Sequence, residues 1–334
     1  MSPSLRTLVA DRGDAGVRLD RVLRRHLADV QAATRTRVQA WIAGGCVTVN
    51  GRPVQRVAAR AALGDLVSVA IPDALPRRAM RGEDLPLDVL YEDDACIAIN
   101  KPAGMVVHPA FKHPTGTLMN ALLGRAREWG SGRRPSIVGR LDKLTSGIVI
   151  AAKTRDAHAL LQQALHAGGE RSKIYLALVY GRVNLARGAI DLRLALDRRD
   201  RRRVVASADT GAHSVTTFER LARVAAPRTG LALLQCALVT GRRHQIRAHL
   251  QARGWPIVGD PAYGEPRWRD VEDPMLSAAL RAFPRQALHA SHVSFVHPIS
   301  GRLVEIDAPL PADFASLLEA AGFRRAEQRP TDGN

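Results

Sequence analysis

The stretch SIVGRLDKLTSGIVIAAKT, residues 136–154, sets an unbroken apolar run from Ile148 to Ala152 behind a polar turn. A short run of β-branched and small residues with no polar alternation reads as a strand buried on both faces. Just ahead of it Asp142 lies among Arg140, Lys143, Thr145 and Ser146. A carboxylate at the edge of a buried strand needs a partner, because an unpaired buried charge is very costly. Two readings stand side by side: a turn aspartate bonded to its own backbone, and a carboxylate held for chemistry.

Outward from this stretch, Val89-Leu90-Tyr91, Ile97-Ala98-Ile99 and Tyr175 to Val179 read as further short strands, while Leu118–Leu123 and Ala157–Leu165 read as helices. Their order has no regular βα repeat, so the fold class is α+β with a mixed, largely antiparallel sheet, over residues 86–321. Asn100-Lys101-Pro102-Ala103-Gly104 is punctuation at a strand end. On the strand at 173–179, Lys173 and Tyr175 point to one side. In TGRRHQIRAH, residues 240–249, helical spacing puts Arg243 and Arg247 on one face and Gln245 and His249 on another. The histidine spacing does not suit a zinc helix; a guanidinium aimed at a carboxylate or phosphate is the better use. DRRDRRR at 197–203 and Glu92-Asp93-Asp94 both read as solvated turns.

An amino-terminal module at 16–71 precedes a Pro-marked linker at 72–85. Leu19, Val22, Leu23, Leu27 and Val30 recur at helical spacing. Thr34 or Thr36 can cap a second helix carrying Val38, Trp41 and Ile42, which Gly44-Gly45 stops. Asn50-Gly51 is a tight-turn signal between strands. Nine arginines face two aspartates between Val17 and Arg60, giving one basic face. Residues 322–334 read as a polar tail.

The 334 residues are 46% hydrophobic and 24% charged, which is globular rather than disordered. The longest apolar candidate, Leu231–Val239, is half of a membrane span, and Met1–Ala10 lacks a signal-peptide core. Cys46, Cys96 and Cys236 stand too far apart for a disulfide framework or a Cys-type zinc site, which fits a cytoplasmic location. A net charge of +17 favours a polyanionic partner. Only five of the 49 basic residues are lysines (101, 112, 143, 153 and 173), and all fall in one part of the chain.

RLDRVLRRHL and RTRVQAWIAGGCVTVNG resemble the αL-type RNA-binding domain of the ribosomal protein S-four family. That resemblance puts Arg35 and Arg37 on the RNA-facing start of the second helix. PLDVLYEDDACIAINKPAGMVVHP, GTLMNALL, SIVGRLDKLTSGIVIAAKT, KIYLALVYG, TGRRHQIRAHL, PIVGDPAYG and RQALHASHVSFVHPISG, in that order, resemble the RluA-type pseudouridine synthases, most closely the RluD-like members. The resemblance implies isomerisation of uridine to pseudouridine in structured RNA, with large-subunit ribosomal RNA or pre-ribosomal particles as the partner. It requires no redox cofactor, ATP or metal, and implies no membrane or protein partner. It places the essential aspartate at Asp142 and, at Arg140, the arginine that fills the gap left by a flipped base. The arginine that pairs with the aspartate falls at Arg247. Tyr175 matches the tyrosine that stacks on uracil and helps take its C5 proton, and Lys173 the lysine two residues before it. Arg242 and His244 join the RNA-contacting set. Gly139 and Leu144 depart from the family, which mostly has histidine and commonly an acid there.

The competing readings are a non-catalytic RNA-binding or ribosome-assembly factor on the same fold, a tRNA-directed synthase, and a hydrolase using Glu92, Asp93, Asp94 and Asp142.

Overall fold

A computed structural model of the chain describes residues 4–30, 33–71, 80–110, 113–167, 172–224 and 230–323. It divides into two units, Met1–Ala79 and Met80–Asn334. The first holds β1 (Ser4–Val9), α1 (Leu19–His26), α2 (Arg35–Ala43), β2 (Val47–Val49), β3 (Arg52–Pro53) and β4 (Leu66–Ile71), with an antiparallel sheet ordered β1-β4-β2-β3. Leu19, Leu23, Val38, Trp41, Ile42, Val67 and Val69 form its core. Asn50 and Gly51 both take positive φ, 51° and 79°, as a two-residue hairpin turn demands. Strand β1 lies outside the 16–71 boundary read from the sequence. Its side chains are mostly exposed, so it carries no apolar signal, and it adheres through backbone pairing with β4. Thr34 stands at the start of α2 without a side-chain cap bond.

The second unit contains β5 (Val89–Glu92), β6 (Cys96–Lys101), α3 (Leu118–Arg125), β7 (Ser136–Val138), β8 (Ser146–Ala152), α4 (Arg155–Ala167), β9 (Lys173–Tyr180), β10 (Arg187–Asp191), β11 (Arg193–Leu196), β12 (Val204–Ser207), β13 (Val215–Val224), β14 (Leu231–Leu238), α5 (Gln245–Ala252), α6 (Pro274–Ala282), β15 (Leu288–Val296), β16 (Leu303–Asp307) and α7 (Ala312–Ala320). Its large sheet runs β10-β13-β14-β9-β15-β8-β6-β5, with β16 on β15 and β7 on β8. Among the described residues, only the β15–β8 pair is parallel. At that junction Gly147 takes φ +109°, and a Cβ there would sit 2.1 Å from the Ala290 carbonyl oxygen, so no side chain fits. Strand β8 is buried throughout: Val149 and Ala151 enter the core shared with α3, α6 and α7, whereas Ile148, Ile150 and Ala152 face α4. Burial on both faces explains the unbroken apolar run.

Several boundaries shift. Residues 72–79 of the linker lie outside the described residues. The remainder, from residue 80, packs onto α3: Glu83 N–H donates to Asn120 O at 2.9 Å, and its carboxylate accepts from Gly116 N–H at 2.9 Å. At the other end Phe323 is buried in the core, so residue 322 is not the start of a polar tail; residues 324–334 lie outside the described set. Glu92-Asp93-Asp94 is not a solvated turn as a whole. Glu92 accepts bonds from Arg125 and Trp129 and pairs with Lys153, while Asp93 accepts from Tyr91 and two backbone amides. Asp94 alone is open, 92% exposed. Finally, α5 begins at Gln245, so Arg243 lies ahead of it and shares no helical face with Arg247.

His289 on β15 ties this sheet together. It accepts from Ser146 Oγ at 3.0 Å and donates toward Ala308 O at 3.4 Å, and burial pushes its pKa from 6.5 down to about 4. In that window the unfolded chain takes up a proton that the folded chain refuses. Stability is therefore full above pH 6.5 and falls as pH drops toward 4. The expected loss is about 3 kcal/mol from this group. Urea midpoints at pH 7 and 4.5 should show a smaller acid loss for His289→Asn than for wild type.

Candidate active site

Asp142 sits on the loop between β7 and β8, and three backbone-directed contacts hold that loop. Thr145 N–H donates to Asp142 O at 3.1 Å and Gly104 N–H to Lys143 O at 2.8 Å. Lys101, 0% exposed, donates its Nζ to the carbonyls of Pro102, Met105 and Lys143 at 2.7–3.2 Å. An ammonium has three donors and a guanidinium a flat fork, so a tripod of carbonyls selects lysine even in an arginine-rich chain. Burial pulls the Lys101 pKa to about 7. Gly139 opens the loop at φ +93°, with nothing nearer to an added Cβ than Lys173 Nζ at 3.9 Å. The glycine therefore answers a backbone demand, not a crowded one.

Arg247, on the first turn of α5, reaches the loop from across the sheet. Its Nη1 donates to Asp142 Oδ2 at 2.7 Å. Its Nε and Nη2 donate to Asp260 Oδ2 and Oδ1 at 2.7 and 2.8 Å. Asp260 is 0% exposed and also accepts from Ala262 N–H and Tyr263 N–H. The fully buried carboxylate thus anchors the guanidinium, and the guanidinium presents its free edge to Asp142, which is 18% exposed. Gln245 fixes where α5 starts: its Oε1 accepts from Thr240 Oγ1 and Arg242 N–H, and its Nε2 donates to Val215 O and Thr216 Oγ1. His249 bonds Thr216 Oγ1 and Leu192 O and is structural.

A cavity of about 460 Å³ opens over Asp142, lined also by Arg140, Lys173, Tyr175, Arg242 and His244. Tyr175 is buried; that burial, and next the Asp142 charge, raise its pKa, so the ring enters as the phenol. Lys173 has its pKa lowered by burial. Arg140 and Arg242 are exposed at the cavity with no ion-pair partner among the described residues. His244 Nε2 lies 3.7 Å from Asp142 Oδ1. Arg243 instead donates to the carbonyls of Arg201 and Arg202, tying the arginine-rich turn to the site's edge. None of Glu92, Asp93 and Asp94 lines this cavity, so nothing joins them to Asp142 as a second carboxylate. In the first unit Arg35 is exposed and Arg37 half-buried at the start of α2, and neither forms an ion pair among the described residues.

Two residues of this site, Asp260 and Tyr263, escape a reading by sequence alone. Both lie in PIVGDPAYG, where the sole signal is an acid inside a Gly-Asp-Pro turn.

A mixed sheet thus brings a loop carboxylate, a doubly paired arginine and a buried tyrosine to one basic cleft of the second unit. Its fold is shared with human RNA pseudouridylate synthase domain containing 1 (TM-score 0.53, 24% identity, 72% of this chain and 89% of that one). It is shared as well with human RNA pseudouridylate synthase domain containing 4 (TM-score 0.53, 21% identity, 70% and 92%). Residues 95–252 match the RNA pseudouridylate synthase family, and residues 17–67 match the S4 domain. Ribosomal large subunit pseudouridine synthase D of Zymomonas mobilis is 39% identical over 91% of this chain and 93% of its own length. The protein of that name from Xanthomonas campestris is 38% identical over 96% and 93%. An uncharacterised RNA pseudouridine synthase of Bacillus subtilis is 39% identical over 86% and 89%. The chain belongs to the RNA pseudouridine synthase family: it is an isomerase acting on RNA.

Proposed function

We propose that this enzyme isomerises uridines of large-subunit ribosomal RNA, with Asp142 as the essential group, and that it works in the cytoplasm. One observation carries the assignment of the site: Asp142, held at 2.7 Å by Arg247, lies at a cavity bounded by Tyr175. Attack on the sugar and proton abstraction both use a carboxylate oxygen, and Arg247 holds only Oδ2. A uridine inside a stem cannot reach Asp142, so the base must flip out, at a cost of a few kcal/mol. Arg140, exposed at the mouth, fills the vacated gap, and Tyr175 stacks on the extruded uracil. Lys173 and Arg242 meet the backbone or the base. The ribosomal target is supported by the names of the relatives from Zymomonas and Xanthomonas. No helix of the described residues is long and apolar enough to cross a membrane.

Tritium release from RNA labelled at uracil C5 tests the substrate. Release from large-subunit ribosomal RNA and not from transfer RNA is expected; the reverse result makes the enzyme tRNA-directed. The amino-terminal unit is assigned to backbone gripping through Arg35 and Arg37. Each phosphate that an arginine no longer neutralises lowers the slope of log affinity against log salt by about 1. Arg35→Glu with Arg37→Glu should therefore weaken binding and flatten that slope, measured by filter binding between low and moderate salt. An unchanged slope removes both residues from the interface.

A further inference from the structure

His244 is the one non-glycine residue besides Asn50 with positive φ among the described residues, at φ 53° and ψ 22° immediately before α5. The left-handed conformation costs a residue with a Cβ roughly 1–2 kcal/mol, so the surroundings must hold it. They do, because Gln245 binds the Thr240–Arg242 turn on one side and α5 begins on the other. The consequence is an imidazole set edge-on to the Tyr263 ring, with centroids 5.7 Å apart and planes at 90°.

The hydrogen bonds around Tyr263 decide which imidazole nitrogen carries the proton. Tyr263 is buried, and its hydroxyl oxygen accepts from Val204 N–H at 2.8 Å. The hydroxyl's only other partner among the described residues is His244 Nδ1, at 3.0 Å. A backbone amide can only donate, so Nδ1 is the one acceptor the hydroxyl proton has among the described residues. A neutral imidazole with Nδ1 accepting carries its proton on Nε2. That nitrogen faces Asp142 Oδ1, the oxygen Arg247 does not hold, at 3.7 Å. The gap is longer than a hydrogen bond, as is common before substrate closes a site.

We propose that His244 is a positioning residue for Asp142, held by Tyr263 as the Nε2–H tautomer so that a donor faces the carboxylate oxygen left free by Arg247. Arg247 fixes one oxygen and His244 limits rotation of the other, keeping Oδ1 aimed into the cavity for the reaction. The same arrangement gives a purpose to the arginine-rich turn, whose end at Val204 supplies the amide that commits the Tyr263 hydroxyl to donating.

The inference rests on Asp142 being the reacting group, but its central measurement does not. Long-range proton–nitrogen correlation of the wild-type enzyme, with the His244 ring assigned by its absence in His244→Gln, should show Nδ1 bare and Nε2 protonated. In Tyr263→Phe the two tautomers should mix. The same variant should lose about tenfold in kcat with KM for RNA nearly unchanged, the scale of one neutral hydrogen bond's ordering. His244→Gln, whose amide N–H reaches where Nε2 stands, should retain more kcat than His244→Ala. A wild-type ring protonated on Nδ1, or an unaltered kcat in a folded Tyr263→Phe, overturns the proposal. Should Tyr263→Phe fail to fold, the wild-type spectrum and the two His244 variants still decide it. Activity surviving in Asp142→Asn would instead sink the reading of Asp142, whatever the tautomer.

Discussion

Asp142→Asn is expected to lower pseudouridine formation by roughly 10⁴-fold or more, while leaving the fold and RNA affinity in place. The amide keeps the shape of the carboxylate, and its oxygen can still accept from Arg247 Nη1, so the loop should not move. Arg247 also keeps its two bonds to Asp260, so no cation is stranded by the change. What disappears is the carboxyl group. An amide cannot take up a proton or attack a sugar carbon, and losing such a group costs from about 10² to more than about 10⁶ in rate. The check is tritium release by the two proteins under single-turnover conditions, beside their binding isotherms. If Asp142→Asn kept more than a few per cent of the wild-type rate, the Asp142–Arg247 pair would be structural and another group in the cavity would carry the chemistry.

The parts of this molecule legible in the sequence are those where a pattern is local. Strand β8 announces itself because both of its faces are buried, and the Asn50-Gly51 turn because only a few residues accept positive φ twice in succession. Strand β1 is silent, since its pairing with β4 uses backbone groups that every sequence possesses. The helix at 245 begins later than periodicity suggests: the side chain of Gln245 binds the Thr240–Arg242 turn, and helical spacing cannot register such a bond. That is why Arg243 and Arg247, four residues apart, serve different ends. At the site, Asp142 and Arg247 are legible through resemblance to a family, whereas spacing alone leaves Asp142 balanced between turn and chemistry. Asp260 and Tyr263 are not legible at all. Their importance comes from long-range bonds, to Arg247 on one helix and to His244 and Val204 on separate elements.

The arrangement of those long-range bonds makes Arg247→Leu the largest expected loss of stability in the chain. The substitution leaves Asp260 fully buried with, among the described residues, only the two amides of Ala262 and Tyr263, both on Oδ1, and nothing on Oδ2. Removing one partner of a buried ion pair costs about 3–5 kcal/mol, because a charge remains without its counterion. The Tyr263 ring also loses one of the two guanidiniums set over it, those of Arg247 and Arg203, each 5.0 Å from its centroid. Arg247→Lys should fall between the two proteins, since an ammonium can meet one carboxylate well but cannot fork onto both. Arg247→Leu with Asp260→Asn is the informative double variant: the asparagine oxygen still accepts the two amides, and the stranded charge is gone. Urea unfolding should therefore place its midpoint between those of wild type and Arg247→Leu, a coupling that additive sites would not show. Activity should not follow stability. The double variant regains its fold but still lacks the cation on Asp142 Oδ2, so its rate should stay as low as that of Arg247→Leu. Recovery of both together would mean that Arg247 acts on the reaction only by holding the protein up. A single variant unfolding at the wild-type midpoint would mean that the Asp260 fork is not what anchors the site.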